Sequence, residues 1–410
     1  MTGRAYLILS GLIVLGTLAF GAAAAASYIE QESNPPPPDR STPLPPPQYR
    51  PPGPHVPELA QYLDRLEVGP PVSYRQLTVY PVRLRGEALS GRWLTLDEAV
   101  SRGLLSVSER GTEGSVPVVV MENRAREECV LVTAGEVVSG GKQTRTVRED
   151  VILAPGQRAE VKVFCVEAHR WEGEPAMRSA GVAVPQSIQK EMRKGADQDA
   201  VWKEVERANK DLGAESRTGS IEAGLKSPRV EEELAKACRS FTPLVPRDSV
   251  GFILVDRYRC VPVGAELFGR SDLALALLPK VIGAYAVDFV VSRKALDETD
   301  APLAADLGRR FLDDIRRAGS VRGETPGSGA GIRMRGSGLL GDGVSLNNVL
   351  VHFAVQTEEK FVPKPKPPEP QPPMPPRPPR PPRPMPLPEP RPVPMPGPEQ
   401  PWNGMKPLLE

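Results

Sequence analysis

Glu136, Lys142, Gln143, Arg145, Cys165, Glu167, His169 and Arg170 all fall between Ala134 and Trp171. There the chain reads A-G-E-V-V-S-G-G-K-Q-T-R, then an alternating hairpin, then C-V-E-A-H-R-W. Glu136 and Glu167 could act as acid or base. Cys165 could act as a nucleophile, because a thiolate forms more readily beside a base or a positive charge. His169 is the candidate base, but four residues along a strand put two side chains on one face ~13 Å apart. That pair therefore needs a bend after Glu167. Gly140-Gly141 would let the backbone turn tightly or approach a ligand closely. Beyond it, Lys142, Gln143 and Arg145, joined by Arg170, could hold an anionic group, which arginine can grip with two parallel hydrogen bonds. Plainer readings stand beside these. Cys165 also reads as a buried strand cysteine, Glu136 with Arg145 or Arg170 as an ion pair stitching a sheet, and Trp171 as a core or edge anchor.

Other chemistry is weakly signalled. Gly336-Ser-Gly338-Leu-Leu-Gly341 spells G-x-G-x-x-G, but a dinucleotide site needs that loop to open a helix. Here Gly343, Asn347-Asn348 and Val344 to Val355 follow, which read as turn and strand, so a glycine-rich hairpin is expected. No phosphate loop, nucleophile elbow or H-E-x-x-H occurs. Cys165 and His169 form the one C-x-x-x-H pair, and a tetrahedral metal needs four ligands. No metal and no cofactor are expected. A net charge of +1 gives no bulk electrostatic argument for nucleic acid.

The elements that must position these residues can be read from periodicity. Leu77 to Leu84 reads as a strand. Thr95-Leu-Asp-Glu98 is a capping box, whose hydroxyl and carboxylate can satisfy the first free amides of a short helix ended by Gly103. Val116 to Glu122 and Cys129 to Thr133 predict one hairpin, and Val147 to Leu153 with Arg158 to Val166 around Ala-Pro-Gly-Gln predict another. In that last arm Ala159, Val161, Val163 and Cys165 share one face. Helical spacing then appears in Gln186 to Lys194, Gln198 to Leu212 and Arg229 to Phe241. Val250 to Val255 and Cys260 to Phe268 predict a strand pair. Ser271 is a candidate cap for a helix running to about Arg293. That helix is apolar, yet Asp272, Lys280, Asp288 and Pro279 mark it as a core helix and not a membrane span. Leu303 to Ala318 predicts a further helix, and Gly331 to Met334 and Leu346 to Val355 two closing strands. With no regular β-α alternation, the class is α+β: mainly antiparallel β in the first half, helical in the middle, mixed in the second half.

The ends differ in kind. Arg4 precedes an uncharged apolar run, Ala5 to Ala26, long enough to cross a ~30 Å hydrocarbon layer. The preceding positive charge puts the N-terminus in the cytoplasm and the bulk outside. The run exceeds the ~7–15 residues of a removed signal, so a retained single-pass anchor is expected. Secretion after cleavage near Ala22 to Ser27 is the alternative. Twelve of the 49 prolines lie between Pro35 and Pro57, and 22 between Pro363 and Pro401. Such runs have fixed φ and lack donors, so they favour extended spacers over a packed core. The tail repeats P-P-R from Pro375 to Pro384. It could meet a cell-envelope protein or an anionic wall polymer, or serve only as a solvated spacer. Outside the cytoplasm disulfides are allowed; Cys129, Cys165, Cys238 and Cys260 permit one or two, with three connectivities for two.

At the Ala134–Trp171 block the chain resembles a bacterial family of uncharacterised domains named for association with ADP-ribosylglycohydrolases and rhodanese-type phosphatases. The family pattern runs G-E-E-L-V-G-A-K-Q-N-R, a hairpin, then C-V-E-Q-G-R-W. It stands here as Gly135-Glu136-Val137-Val138-Ser139-Gly140-Gly141-Lys142-Gln143-Thr144-Arg145 and Cys165-Val166-Glu167-Ala168-His169-Arg170-Trp171. Leu94-Thr-Leu-Asp-Glu-Ala99, Gly114-Ser-Val116, Trp202 and Gly264-Ala-Glu-Leu-Phe268 also fit, so the resemblance spans Tyr74 to Phe353. The chain departs from the pattern at Val137-Val138 and at Ala168-His169. The family name implies a link to ADP-ribose chemistry.

The expected organisation is 1–30 anchor, 31–57 Pro-rich stalk, 58–180 β-rich part, 181–245 helical segment, 246–360 α+β part of the same domain, and 361–410 basic Pro-rich tail. Two functions follow. One is a membrane-anchored extracytoplasmic binding or scaffold protein. The other is an enzyme or sensor for an ADP-ribose-like or other phosphate-bearing ligand.

Overall fold

Strands buried on both faces organise the protein. The computed structural model describes residues 53–111, 117–214, 216–291 and 306–358, all within the unit Pro52–Glu410. The expected anchor Ala5–Ala26, most of the Pro-rich stalk, Gly114-Ser-Val116 and the Pro-rich tail lie outside the described residues.

The first half contains α1 (Pro57–Asp64), β1 (Leu66–Val68), β2 (Val72–Tyr74), β3 (Leu77–Leu84), β4 (Arg92–Thr95), α2 (Leu96–Ser101) and β5 (Leu105–Glu109). It continues with β6 (Val118–Asn123), β7 (Glu128–Val132), β8 (Glu136–Gly140), β9 (Arg145–Val147), β10 (Val151–Leu153), β11 (Arg158–Cys165) and β12 (Ala176–Ala183). Four helices follow: α3 (Gln186–Arg193), α4 (Gln198–Leu212), α5 (Ile221–Leu225) and α6 (Pro228–Phe241). The last part holds β13 (Ser249–Asp256), β14 (Val261–Phe268), α7 (Ser271–Ala286), one π-helical turn (Val287–Val291) and α8 (Leu307–Arg317). It ends in β15 (Val321–Gly323), β16 (Ala330–Gly336), β17 (Leu339–Leu346) and β18 (Val349–Thr357). The class is α+β.

Nine strands form an antiparallel sheet in the order β1-β3-β13-β14-β18-β17-β16-β15, with β2 on β3. Helices cover both of its faces. Leu59 and Leu63 of α1 and Phe311 and Ile315 of α8 pack on Tyr80, Ile253 and Phe353. Leu277 and Ile282 of α7 and Phe241 of α6 pack on Phe252 and Leu254 of the other face. Double coverage explains why β13 is apolar almost throughout and buried at every residue. It also explains α7, which is apolar all round and mostly buried. No helix among the described residues is long and apolar enough to cross a membrane.

Six other strands close a barrel, β11-β6-β5-β12-β8-β9, which removes free edges. Val107, Met121, Val138, Val161 and Met177 contribute to its core. A three-stranded sheet, β10-β7-β4, joins the two bodies. Val130 and Leu153 pack with the barrel core, while Leu131 and Ile152 pack with α7 and the large sheet.

The two predicted first-half hairpins are corrected here. β6 pairs with β5 and β11 in the barrel, whereas β7 pairs with β10 and, in parallel, β4. The second breaks differently. Val147 pairs with Val163 of β11, but β10 leaves for the small sheet. The predicted strand Leu346 to Val355 is the end of β17, an Asn347-Asn348 turn with positive φ, and β18. Arg270, not Ser271, caps α7, without a side-chain cap bond. Elsewhere local signals hold. The Thr95–Glu98 capping box forms, α4 spans the residues its apolar stripe marks, and G-x-G-x-x-G is the β16–β17 hairpin turn.

Candidate functional site

The signature residues gather at one end of the barrel. Gly140 and Gly141 have φ of +97° and +57°. A Cβ on Gly140 would meet the Ala176 carbonyl at 2.9 Å, and one on Gly141 the Glu109 carboxylate at 2.7 Å. The glycine pair thus serves close packing within the protein. Glu109 also accepts the Lys142 N–H at 3.0 Å.

Arg145 points into this end of the barrel and is wholly buried. Its Nη1 donates to Gln143 Oε1 at 2.8 Å and to Cys165 Sγ, and its Nη2 lies 3.6 Å from Glu109. Trp171 covers it, with the guanidinium 5.6 Å and Lys142 Nζ 5.5 Å from the ring centre. Cys165 is fully buried as well. Burial pushes its thiol up from the usual value, and Arg145 offsets only part of that. His169 is exposed on the loop beyond, with its ring beside Gly219. Cys165 is therefore held as a protonated thiol, enclosed away from solvent.

Glu167 forms a second knot. Its Oε2 accepts from the Thr144 N–H and hydroxyl, both at 2.9 Å, and from Arg170 at 2.7 Å; its Oε1 accepts from Thr218 at 2.7 Å. Burial favours the neutral acid, but the bonds from Arg170, Thr218 and Thr144 win and pull its pKa to about 2. Arg170 also donates to the carbonyls of Gly141 and Glu172, at 2.8 and 2.7 Å. Gln143 Nε2 donates to the Glu167 carbonyl at 2.8 Å. Lys142 and Arg170 are the two signature cations that keep part of their surface in solvent.

The third carboxylate, Glu136, lies in the wall between the two bodies. It is fully buried and pairs with Lys280 of α7, which also reaches Asp97 of α2 at 2.7 Å. Burial alone would lower the Lys280 pKa, but Glu136 and Asp97 raise it. A parallel link runs through His352 of β18, which meets Asp150 at 2.7 Å and Glu266 at 3.0 Å and stacks on Phe268 at 4.5 Å. The G-A-E-L-F block thereby gains a physical meaning, since Glu266 and Phe268 both hold His352.

Periodicity alone did not point to Glu109, Thr144, Thr218, Asp150 and His352. Lys280 was visible only as one of three charges, with Asp272 and Asp288, in an apolar helix. The four cysteines are unpaired. Among the described residues no cluster of His, Cys, Asp and Glu could hold a metal ion.

A family model described as ARPP-1, the ARG and Rhodanese-Phosphatase-superfamily-associated Protein domain, matches residues 65–356. The chain belongs to that family. Neither a curated protein nor a solved structure matches it. Two of the departures from the family pattern, Val137-Val138 and Ala168-His169, now have places. Val137 joins the apolar cluster outside the barrel and Val138 the cluster inside it. Ala168 and His169 border a groove of about 980 Å³ beside Trp202.

Glu167→Gln tests the knot. It removes the charge that Arg170 and three further donors satisfy, at an expected cost of about 1–3 kcal/mol. Because the folded pKa of about 2 lies below the ordinary 4.5, the stabilisation is present above pH 4.5 and lost as pH falls toward 2. Denaturant melts across that window should lose this acid-dependent part in the variant. An unchanged acid slope would show that Glu167 is not bound as described.

Proposed function

We propose that this protein is a membrane-anchored extracytoplasmic binding or scaffold protein. The leading apolar run after Arg4 and the Pro-rich stalk support the tether. The observation that carries the non-catalytic half is the engagement of all three reactive candidates. Glu136 is paired with Lys280, Glu167 is saturated by four donors, and Cys165 is enclosed with its thiol pushed up. An acid or base working near neutral pH needs a pKa near that pH, and Glu167 is far from it. These residues read as anchors that hold the barrel end and join it to the large sheet. Expression of the full chain with its own leader, followed by fractionation and protease treatment of intact cells, tests the tether. Membrane association with the folded body cleaved from outside is expected. An untagged cytosolic product with its first residues intact would overturn the proposal.

A second reading keeps a phosphate-bearing ligand such as ADP-ribose. Its support is the groove beside Trp202, whose exposed rim carries Lys203, Lys210, Arg217 and His169 together with the acids Asp199 and Glu206. Arg145 has no solvent face to offer such a ligand. A melting point raised by millimolar ADP-ribose, and not raised in Lys210→Ala, would favour this reading.

A further inference from the structure

The Pro-rich run meets the body at Gly53-Pro54-His55-Val56, the first described residues. They are seated on the last turn of α8 and the residues after it, Ala318 to Ser320. Gly319 lets the two backbones touch. A Cβ there would sit 2.2 Å from the Gly53 carbonyl oxygen and 2.8 Å from the Gly53 nitrogen, so the close approach needs glycine. Val56, 7% exposed, joins the apolar cluster of Leu59, Ile315 and Ala318.

The polar groups of this contact fit a neutral His55. The Val56 N–H donates to Ser320 Oγ at 3.0 Å. His55 Nε2 lies 2.8 Å from the Ile315 carbonyl oxygen, in the last turn of α8, and His55 Nδ1 lies 3.2 Å from Ser320 Oγ. A carbonyl only accepts, so Nε2 carries the hydrogen. Ser320 Oγ already accepts from Val56, which leaves its own hydrogen for Nδ1. The half-buried ring thus donates on one side and accepts on the other. A second ring proton would sit on Nδ1 and face the Ser320 hydroxyl hydrogen.

The surroundings favour that neutral form. Burial lowers the His55 pKa from 6.5, and the carbonyls of Ile315 and Arg316 with the charge of Asp64 in α1 offset only part of it. The Arg316 guanidinium is committed to the carbonyls of Leu63 and Leu66 and to Asp313. A docked pKa below the ordinary one means that docking is fully favoured above pH 6.5 and weakens as pH falls below it.

We propose that residues 53–56 form a clasp that fixes the root of the Pro-rich stalk on the body and opens on acidification, with His55 as the acid-sensitive group. A semi-rigid spacer passes on a direction only when its root is held. With the clasp shut the body faces one way from its tether, and with the clasp open it turns freely. This role at a tether rests on the membrane-anchored reading. Fractionation tests the tether and hydrogen exchange tests the clasp, so the two can fail separately.

The test is hydrogen exchange at the Val56 amide of the full chain, at about pH 8 and about pH 5, each rate taken relative to an unstructured amide at the same pH. Pro54 and Pro57 have no N–H, so Val56 reports the clasp with little overlap. In the wild type the amide should be protected at the higher pH and lose protection at the lower one. His55→Gln keeps a neutral donor for Ile315 and takes up no proton, so its protection should be the same at both. Ser320→Ala removes the acceptor of Val56 and should cut protection about tenfold at the higher pH. A wild-type amide as fast as an unstructured one at the higher pH would overturn the clasp. No loss on acidification, or an equal loss in His55→Gln, would overturn the acid release.

Discussion

Replacing His352 with Leu is expected to destabilise the fold by roughly 3–5 kcal/mol, the usual cost of breaking a buried charged network by removing one member. The substitution keeps an apolar side chain beside Phe268 but strands Asp150 and Glu266, both nearly excluded from water. The pH dependence distinguishes this from simple repacking. Burial lowers the His352 pKa, but Asp150 and then Glu266 more than offset it and raise it from 6.5 to about 10. A raised folded pKa means that the stabilisation is fully present below pH 6.5 and is lost as pH rises toward 10. Wild-type denaturation free energy should therefore fall across that window by an amount the variant lacks. A variant with the wild-type alkaline slope would show that His352 is not the group responsible. Because Asp150 adjoins the small sheet and Glu266 and His352 sit in the large one, the lost link is one that joins the two bodies.

Lys280→Met carries the second large effect. The methionine fits among the apolar neighbours of α7, but Glu136 is left fully buried with no cation. Its other oxygen still accepts the Thr133 N–H at 2.7 Å, which does not replace the lost charge. A loss of roughly 3–5 kcal/mol is expected in urea melts. The double variant Lys280→Met with Glu136→Gln should recover most of that, because a neutral pair no longer needs a counter-charge. A single-variant loss below about 1 kcal/mol would mean that the pair is dispensable. If the double variant proved no better than the single one, the cost would lie in packing and not in the charge.

These expectations change the sense of the signature. Its residue types suggest a ligand clamp and a nucleophile, and the tertiary arrangement turns most of them inward. Arg145 Nη1 donates to Gln143 and Cys165, while its buried Nε and Nη2 have no hydrogen-bond partner among the described residues. Arg170 and Gln143 tie down backbone carbonyls, and Glu167 closes the loop that carries them. A buried cation and a carboxylate that accepts four hydrogen bonds rigidify that barrel end.

What the sequence by itself determined is whatever depends on near neighbours along the chain. The 3.6-residue stripe of α4, the capping box at Thr95, the alternation of β11 and the β16–β17 turn each follow from contacts within a few residues, and all appear as read. The same holds for Asp272, Lys280, Asp288 and Pro279, which marked the apolar segment as a core helix. Only the tertiary structure decided which strands pair. Val118–Asn123 and Glu128–Val132 have strand character whoever their partners are, because strand propensity reports a half-buried pleated surface and says nothing of the neighbour. The barrel and the small sheet divide them. The buried links behave likewise. Asp97 and Lys280, or Asp150 and His352, are separated by 183 and 202 residues, and no local pattern couples side chains at such distances. Their meeting is set by the packing of the large sheet against the barrel.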